Sequence, residues 1–527
     1  MKMIKYTILA WIIFLSNSIS SQTVTYEMIH FTDDGTVNGN PLLPGFSMNS
    51  CWGAIGYHHS GKIYIAVSDH LEPGNTAFFK YDPLKNKMSY IGDVKSICTQ
   101  ANNWMIDESQ QKIHTHLFEH ADGKMYCATH DNSYDAILSN HRGSHIFTID
   151  SEDQITDYSA TSRYYIDETL HTVEGNIGVS IKNYGIIAMG VNPRVPHLVY
   201  GITYPDAYLI VLDLTTGNIR KVQKTSNSAT DYISRHIAVD NNGNAYVVVK
   251  TNNTNHKQIY KYTYNTEQWT TIGNPMPDDG SNAKRGGFVY QVYSPSGDTM
   301  YAVLYNGDIY RLIFASNTLE KLGSIGQSNP PTYNLTLSKD GKFLYYIFYK
   351  YGKPDFELRK FDIISRQSSV IQSNLTNIFG SRDLIYGTTE DNYGNMYVAG
   401  WTYNTLNIVL MKMHFGTDYI ASNPPVAIWE SLSEKPPVEI PGCTLMQNYP
   451  NPFHTTTHFK FQIDHPCNVS LQVFNLYGSE IATIISEDMM PGIYIRQWNA
   501  LNLPGGFYFY RFQAGTFTET KKMIHQK

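Results

Sequence analysis

The sequence predicts an all-β chain: a seven-bladed β-propeller followed by a small β-sandwich. Three observations carry that prediction. A unit made of an apolar strand, a turn and a strand containing Tyr recurs seven times. Only 16% of the residues are charged while Tyr numbers 40, and aromatic and β-branched side chains suit pleated, packed surfaces. The recurrence then stops near Phe415, a Pro-rich stretch follows, and a second set of alternating strands begins.

The chain opens with a basic tip, Met1-Lys-Met-Ile-Lys5. An apolar run from Thr7 to Leu15 follows, then small residues to Ser21. This is the pattern of a secretory signal peptide over 1–21, too short to span a bilayer. No other apolar run is long enough for a transmembrane segment. The net charge of -6 argues against a nucleic-acid footprint, which needs a basic excess. The five cysteines, Cys51, Cys98, Cys127, Cys443 and Cys467, are too sparse for a disulfide framework.

The propeller is expected over 22–416. Its first strand candidate is Val24 to Phe31. The seven turn-and-Tyr marks end at Tyr64, Tyr126, Tyr200, Tyr246, Tyr301, Tyr345 and Tyr397. Their mean step is about 55 residues, close to the blade length of propellers. Most units add a third strand, such as Ile146-Phe-Thr-Ile149, and a fourth, such as Trp269-Thr-Thr-Ile272. Four antiparallel strands repeated radially give a blade; a tandem of β-sandwiches is the alternative. The Tyr marks are expected to pack between strands. Asp150, Asp213 and Asp240 fall at turns and are expected to fix them. A stiff linker, rich in Pro, is expected over 417–443, and the sandwich over 444–527.

Register places candidate chemistry. In each blade the start of the first strand, the end of the second and the start of the third share one face. The hairpin from Lys112 to His130 turns at Ala121-Asp-Gly-Lys124 and brings His114 and His130 to that face. The same rule brings His145, Tyr184, Tyr204 and Arg235 there, with Trp401, Tyr305 and Tyr349 as aromatic neighbours able to stack on sugar rings. Arg220 should start an outer strand on the opposite face. Removing the C5 proton of a uronic acid requires a base, a cation on the carboxylate and an acid for the leaving oxygen. His and Tyr suit the proton transfers, and Arg suits a bidentate hold on a carboxylate. The expected roles are His130 or His114 as charge neutraliser and base partner, Tyr204 as acid or base, Arg235 on the carboxylate and His145 as a supporting donor. Zinc held by His114, His116, Cys98 and Cys127 is the competing reading, since thiolate and imidazole suit that ion.

Two resemblances add to this. Gln447-Asn-Tyr-Pro-Asn-Pro-Phe453 and Leu503-Pro-Gly-Gly-Phe-Tyr-Phe-Tyr-Arg511 closely resemble the C-terminal sorting domain of the type IX secretion system of Bacteroidota. That resemblance implies export across the outer membrane by the type IX machinery, with the tail then removed or used for surface attachment. Cys51-Trp-Gly53, Lys112-Ile-His-Thr115, Asp122-Gly-Lys-Met-Tyr126 with Thr129-His130, Tyr200-Gly-Ile-Thr-Tyr-Pro205 and Ser234-Arg235 resemble the propeller polysaccharide lyases, including ulvan lyases, over about 50–275. This second resemblance implies an acidic polysaccharide partner and β-elimination that requires no cofactor, with room for a structural metal ion. The alternative is a non-catalytic propeller that binds glycan or protein at the cell surface.

Overall fold

A computed structural model describes residues 24–415 and 443–526 apart from internal stretches, the longest being 131–142, 166–180, 225–233 and 277–286. The expected signal peptide, Tyr184 and all of the expected linker except Cys443 lie outside the described residues. The chain divides into two compact units, Met1–Ser433 and Glu434–Lys527.

In the first unit, seven sheets of mostly four antiparallel strands follow one another along the described chain. The first is Ile55–Tyr57, Ile63–Ser68, Thr76–Asp82 and Lys87–Asp93. The seventh is completed out of order. Its strands Leu384–Glu390, Asn395–Thr402 and Asn407–His414 are joined by the N-terminal strand Thr25–His30, which runs antiparallel to Asn407–His414 from Thr25↔His414 to His30↔Val409. The inner strands of the seventh and first sheets come into contact. They meet so closely that a Cβ on Gly387 (φ +78°) would lie 2.9 Å from the Gly53 Cα.

Several second strands are buried along their whole length, as in Ile63–Ser68, Met125–His130 and Leu198–Tyr204. Continuous apolar runs are what strands covered on both faces require. Outer strands such as Thr318–Ser324 mix buried and exposed positions. The Tyr marks are packing residues whose hydroxyls anchor turns. Tyr246 donates to Asp240 Oδ2 at 3.0 Å and Tyr397 to Asp391 Oδ2 at 2.8 Å. In both turns the other carboxylate oxygen accepts two backbone N–H groups, from Asn242 and Asn244, and from Tyr393 and Asn395. Asp150 does the same for Glu152 and Gln154.

The second sheet departs from the expected hairpin. His130 pairs with Lys112 rather than His114, and no strand spans 114–117. The first strand breaks because Thr115 Oγ1 takes the N–H of Ala128 at 2.9 Å, where a backbone carbonyl would otherwise serve. Helix Val94–Gln100, capped by Asp93 through the Ser96 N–H at 2.9 Å, lies between the first and second sheets and was not legible in the sequence.

The second unit packs two sheets. One orders Thr444–Leu445, Thr456–Ile463 and Gly492–Asn499; the other orders Glu480–Met489, Cys467–Phe474, Gly506–Ala514 and Phe517–His525. Alternate residues Val469, Leu471 and Val473 face a core with Phe459, Phe461, Tyr510 and Phe512. The Asn448 N–H donates to the Tyr510 hydroxyl at 2.7 Å, and its amide donates to Thr457 Oγ1 at 2.9 Å. All five cysteines are free thiols.

Candidate functional site

The residues expected at the mouth arrive from different sheets. His114 follows the first strand of the second sheet, His130 ends its middle strand, Tyr204 ends the second strand of the third sheet, and Arg235 precedes the fourth sheet. Their rings form a continuous row. Trp52 and His114 lie 5.1 Å apart between centroids, His114 and His130 5.0 Å at 77°, and His130 and Tyr204 4.9 Å at 79°. Arg235 Nη1 lies 3.2 Å from His114 Nδ1. A guanidinium only donates, so His114 Nδ1 is the acceptor and the ring carries its proton on Nε2. The row thus sets two adjacent imidazoles between an indole and a phenol, beside the Arg235 cation. Those residue types can move protons and hold an anion, and His114, His130 and Tyr204 are themselves buried, at 6%, 2% and 7% exposure.

Other expectations are corrected. Trp401 is fully buried against Trp52 at 5.4 Å, and Tyr349 is buried with its hydroxyl bonded to the Arg382 carbonyl. Neither presents a face to a sugar. Both sit at strand ends where the next sheet covers them, which the spacing rule ignores. Arg220 is engaged outside the row by Glu267 and by the Tyr262 hydroxyl at 3.1 Å.

His145 joins a different group. It is fully buried, with Nε2 2.8 Å from Glu108 Oε1 and Nδ1 3.0 Å from Asp157 Oδ2. Burial opposes its charged form, but the hydrogen bonds to Asp157 and Glu108 outweigh it and raise its pKa. With both ring nitrogens engaged by carboxylates, it is not placed as a supporting donor at the mouth. The expected zinc set is also not assembled. Cys98 faces His145, Cys127 lies in the packed core between the first two sheets, and His116 packs on His236.

A second layer escaped the sequence reading. His116, His236 and Tyr290 meet one another edge-on or tilted, at 4.8–5.0 Å between centroids. They line a cavity of about 70 Å³ together with Glu119, Gln291 and Thr388. Burial pushes His116 down to about 4, and burial reinforced by His116 and Arg235 drives His236 well below its ordinary value. Both rings therefore stay neutral at physiological pH. The Tyr290 hydroxyl binds Thr388 through its carbonyl at 2.7 Å and its N–H at 2.8 Å, tying the fifth sheet to the seventh. The available signal was His116 two residues beyond His114, and His236 directly after Arg235.

Residues 447–526 match the family described as a secretion system C-terminal sorting domain. This chain therefore carries that domain and is exported by type IX secretion to the cell surface or beyond it. Among the described residues no helix is long and apolar enough to cross a membrane. No curated protein sequence matches the chain. Among solved structures the chain is similar to PorZ, a surface component of the type IX secretion system of Porphyromonas gingivalis, at 12% identity and a TM-score of 0.45. That likeness covers 93% of this chain and 61% of PorZ. It is also similar to the extracellular domain of a hybrid two-component system from B. thetaiotaomicron, at 12% identity and a TM-score of 0.43, covering 95% of this chain and 58% of that one. The chain thus spans about three fifths of the length of these structures.

Proposed function

We propose that residues 22–416 form a seven-bladed β-propeller and that its mouth cleaves a uronic-acid-containing glycan by β-elimination. The observation that carries this reading is the row His114–His130–Tyr204 with Arg235 Nη1 3.2 Å from His114 Nδ1. Arg235 takes the uronate carboxylate and, with His114, stabilises the charge that builds on it when C5 is deprotonated. Pre-aimed donors at developing charge are commonly the largest catalytic contribution. Tyr204 moves the proton: it accepts the one from C5 or supplies one to the leaving oxygen, and His130 against its ring is the partner that relays it. The C5–H electron pair becomes the C4=C5 double bond as the C4–O bond breaks, so no redox partner enters. Export to the surface or beyond places such an enzyme where polymeric substrates are.

The conjugated uronate product absorbs in the ultraviolet, whereas a hydrolysis product does not. Incubation with ulvan, pectate, gum arabic and glycosaminoglycans should raise the absorbance for at least one of them. If the whole panel stays silent while one polymer still binds, the mouth is a non-catalytic glycan receptor.

A further inference from the structure

We propose that Cys98, His145 and Asp157, with Asn103 beside them, form a zinc site buried between the first and second sheets, and that Glu108 orients its histidine. This is independent of the glycan reading. The three ligand atoms converge: Cys98 Sγ lies 3.5 Å from His145 Nδ1 and 3.4 Å from Asp157 Oδ2, and those two lie 3.0 Å apart. Tetrahedral zinc with bonds of about 2.0–2.3 Å sets such ligands roughly 3.4–3.6 Å from one another. The sulfur distances already match, and the N···O pair needs only a small opening. The Asn103 amide nitrogen lies 2.5 Å from Asp157 Oδ2 and 3.4 Å from His145 Nδ1. Exchanging the amide N and O, which occupy equivalent positions, offers a fourth ligand once its 2.5 Å separation from Asp157 Oδ2 opens.

A further observation points to a cation. Metal-bound histidines typically give their second ring N–H to a carboxylate, and His145 Nε2 sits 2.8 Å from Glu108 Oε1. Glu108 is itself fixed by the Met105 N–H at 2.9 Å and the Gln110 amide at 3.1 Å. The side chains of Glu108, Asp157 and His145 are all 0% exposed. The supports are rigid as well: Cys98 rides on helix Val94–Gln100, and Asp157 Oδ1 accepts the Ser159 N–H at 3.0 Å.

The full chain purified without chelator should hold one zinc ion per molecule by elemental analysis. Replacing zinc with Co²⁺ should give the near-ultraviolet band of cobalt bound to thiolate, absent in Cys98→Ala. Glu108→Gln should keep the ion but bind it about 10–100-fold more weakly. If Cys98→Ala does not fold, the cobalt spectrum of the unaltered chain decides alone. A folded chain that holds no zinc and shows no thiolate band on titration with Co²⁺ overturns the proposal, as does a band unchanged in Cys98→Ala.

Discussion

Two histidine clusters in the same unit have opposite surroundings. In the row at the mouth, His114 and His130 meet each other, a phenol and a guanidinium. In the sealed cluster, His145 meets a carboxylate at each nitrogen. The first two imidazoles are buried among neutral rings beside one cation, the surroundings that the proposed proton transfer requires. An imidazole clamped by two acids cannot exchange protons with a visiting molecule, and contributes to structure instead. Residue type and strand position are alike in the two places; the neighbouring acids separate them.

The contrast can be broken by exchanging consequences. His130→Ala and Arg235→Ala should each lower β-elimination by about 100-fold or more, the usual contribution of a proton-transfer or charge-stabilising group. Their unfolding midpoints should stay close to that of the unaltered chain. An equal loss of stability would move the mouth into the structural class. Asp157→Ala should do the reverse, costing about 3–5 kcal/mol of stability because it strips one partner from a buried charged group. Per folded molecule its turnover should be intact, with denaturant titration and the absorbance assay run on the same sample.

The neutral layer beneath the mouth sharpens the comparison through pH. Folded His116 titrates at about 4 against 6.5 ordinarily. Between those values the unfolded chain binds the proton and the folded chain does not. The contribution is therefore fully present above pH 6.5 and is lost as pH falls toward 4, by roughly 3 kcal/mol in all. His116→Leu should flatten the stability–pH curve in that window, and an unchanged slope would remove His116 from the account. The smallest effect belongs to the repeat itself. Tyr397→Phe deletes the 2.8 Å bond to Asp391 and should cost about 1 kcal/mol, with no change in turnover, as measured by thermal unfolding.

Much of this was legible because strands obey a two-residue alternation and hairpins return to their own edge. Tyr246 and Tyr397 marked turns, and register placed His130 and Tyr204 at strand ends, whereas His114 and Arg235 meet outside any strand. The reading failed where a third dimension decides. Trp401 and Tyr349 occupy the right strand ends yet are covered by neighbouring sheets. His145 is claimed by Glu108, 37 residues before it, and Asp157, 12 after it, a pairing no local pattern announces. Cys98 rides on a short helix inside an otherwise all-strand stretch. The tail was the easiest part, because two specific motifs in order define it and its core needs only alternate apolar residues.

Thr25–His30 has to wait for Asn407–His414 before either is satisfied. Strands nearly four hundred residues apart thus share one sheet, which makes the unit a clasp rather than a chain of independent modules. Partly delivered protein would carry an open seam and a bare sheet edge, a template for sticking to its neighbours. Shaving only those six residues should therefore be far more damaging than their number suggests.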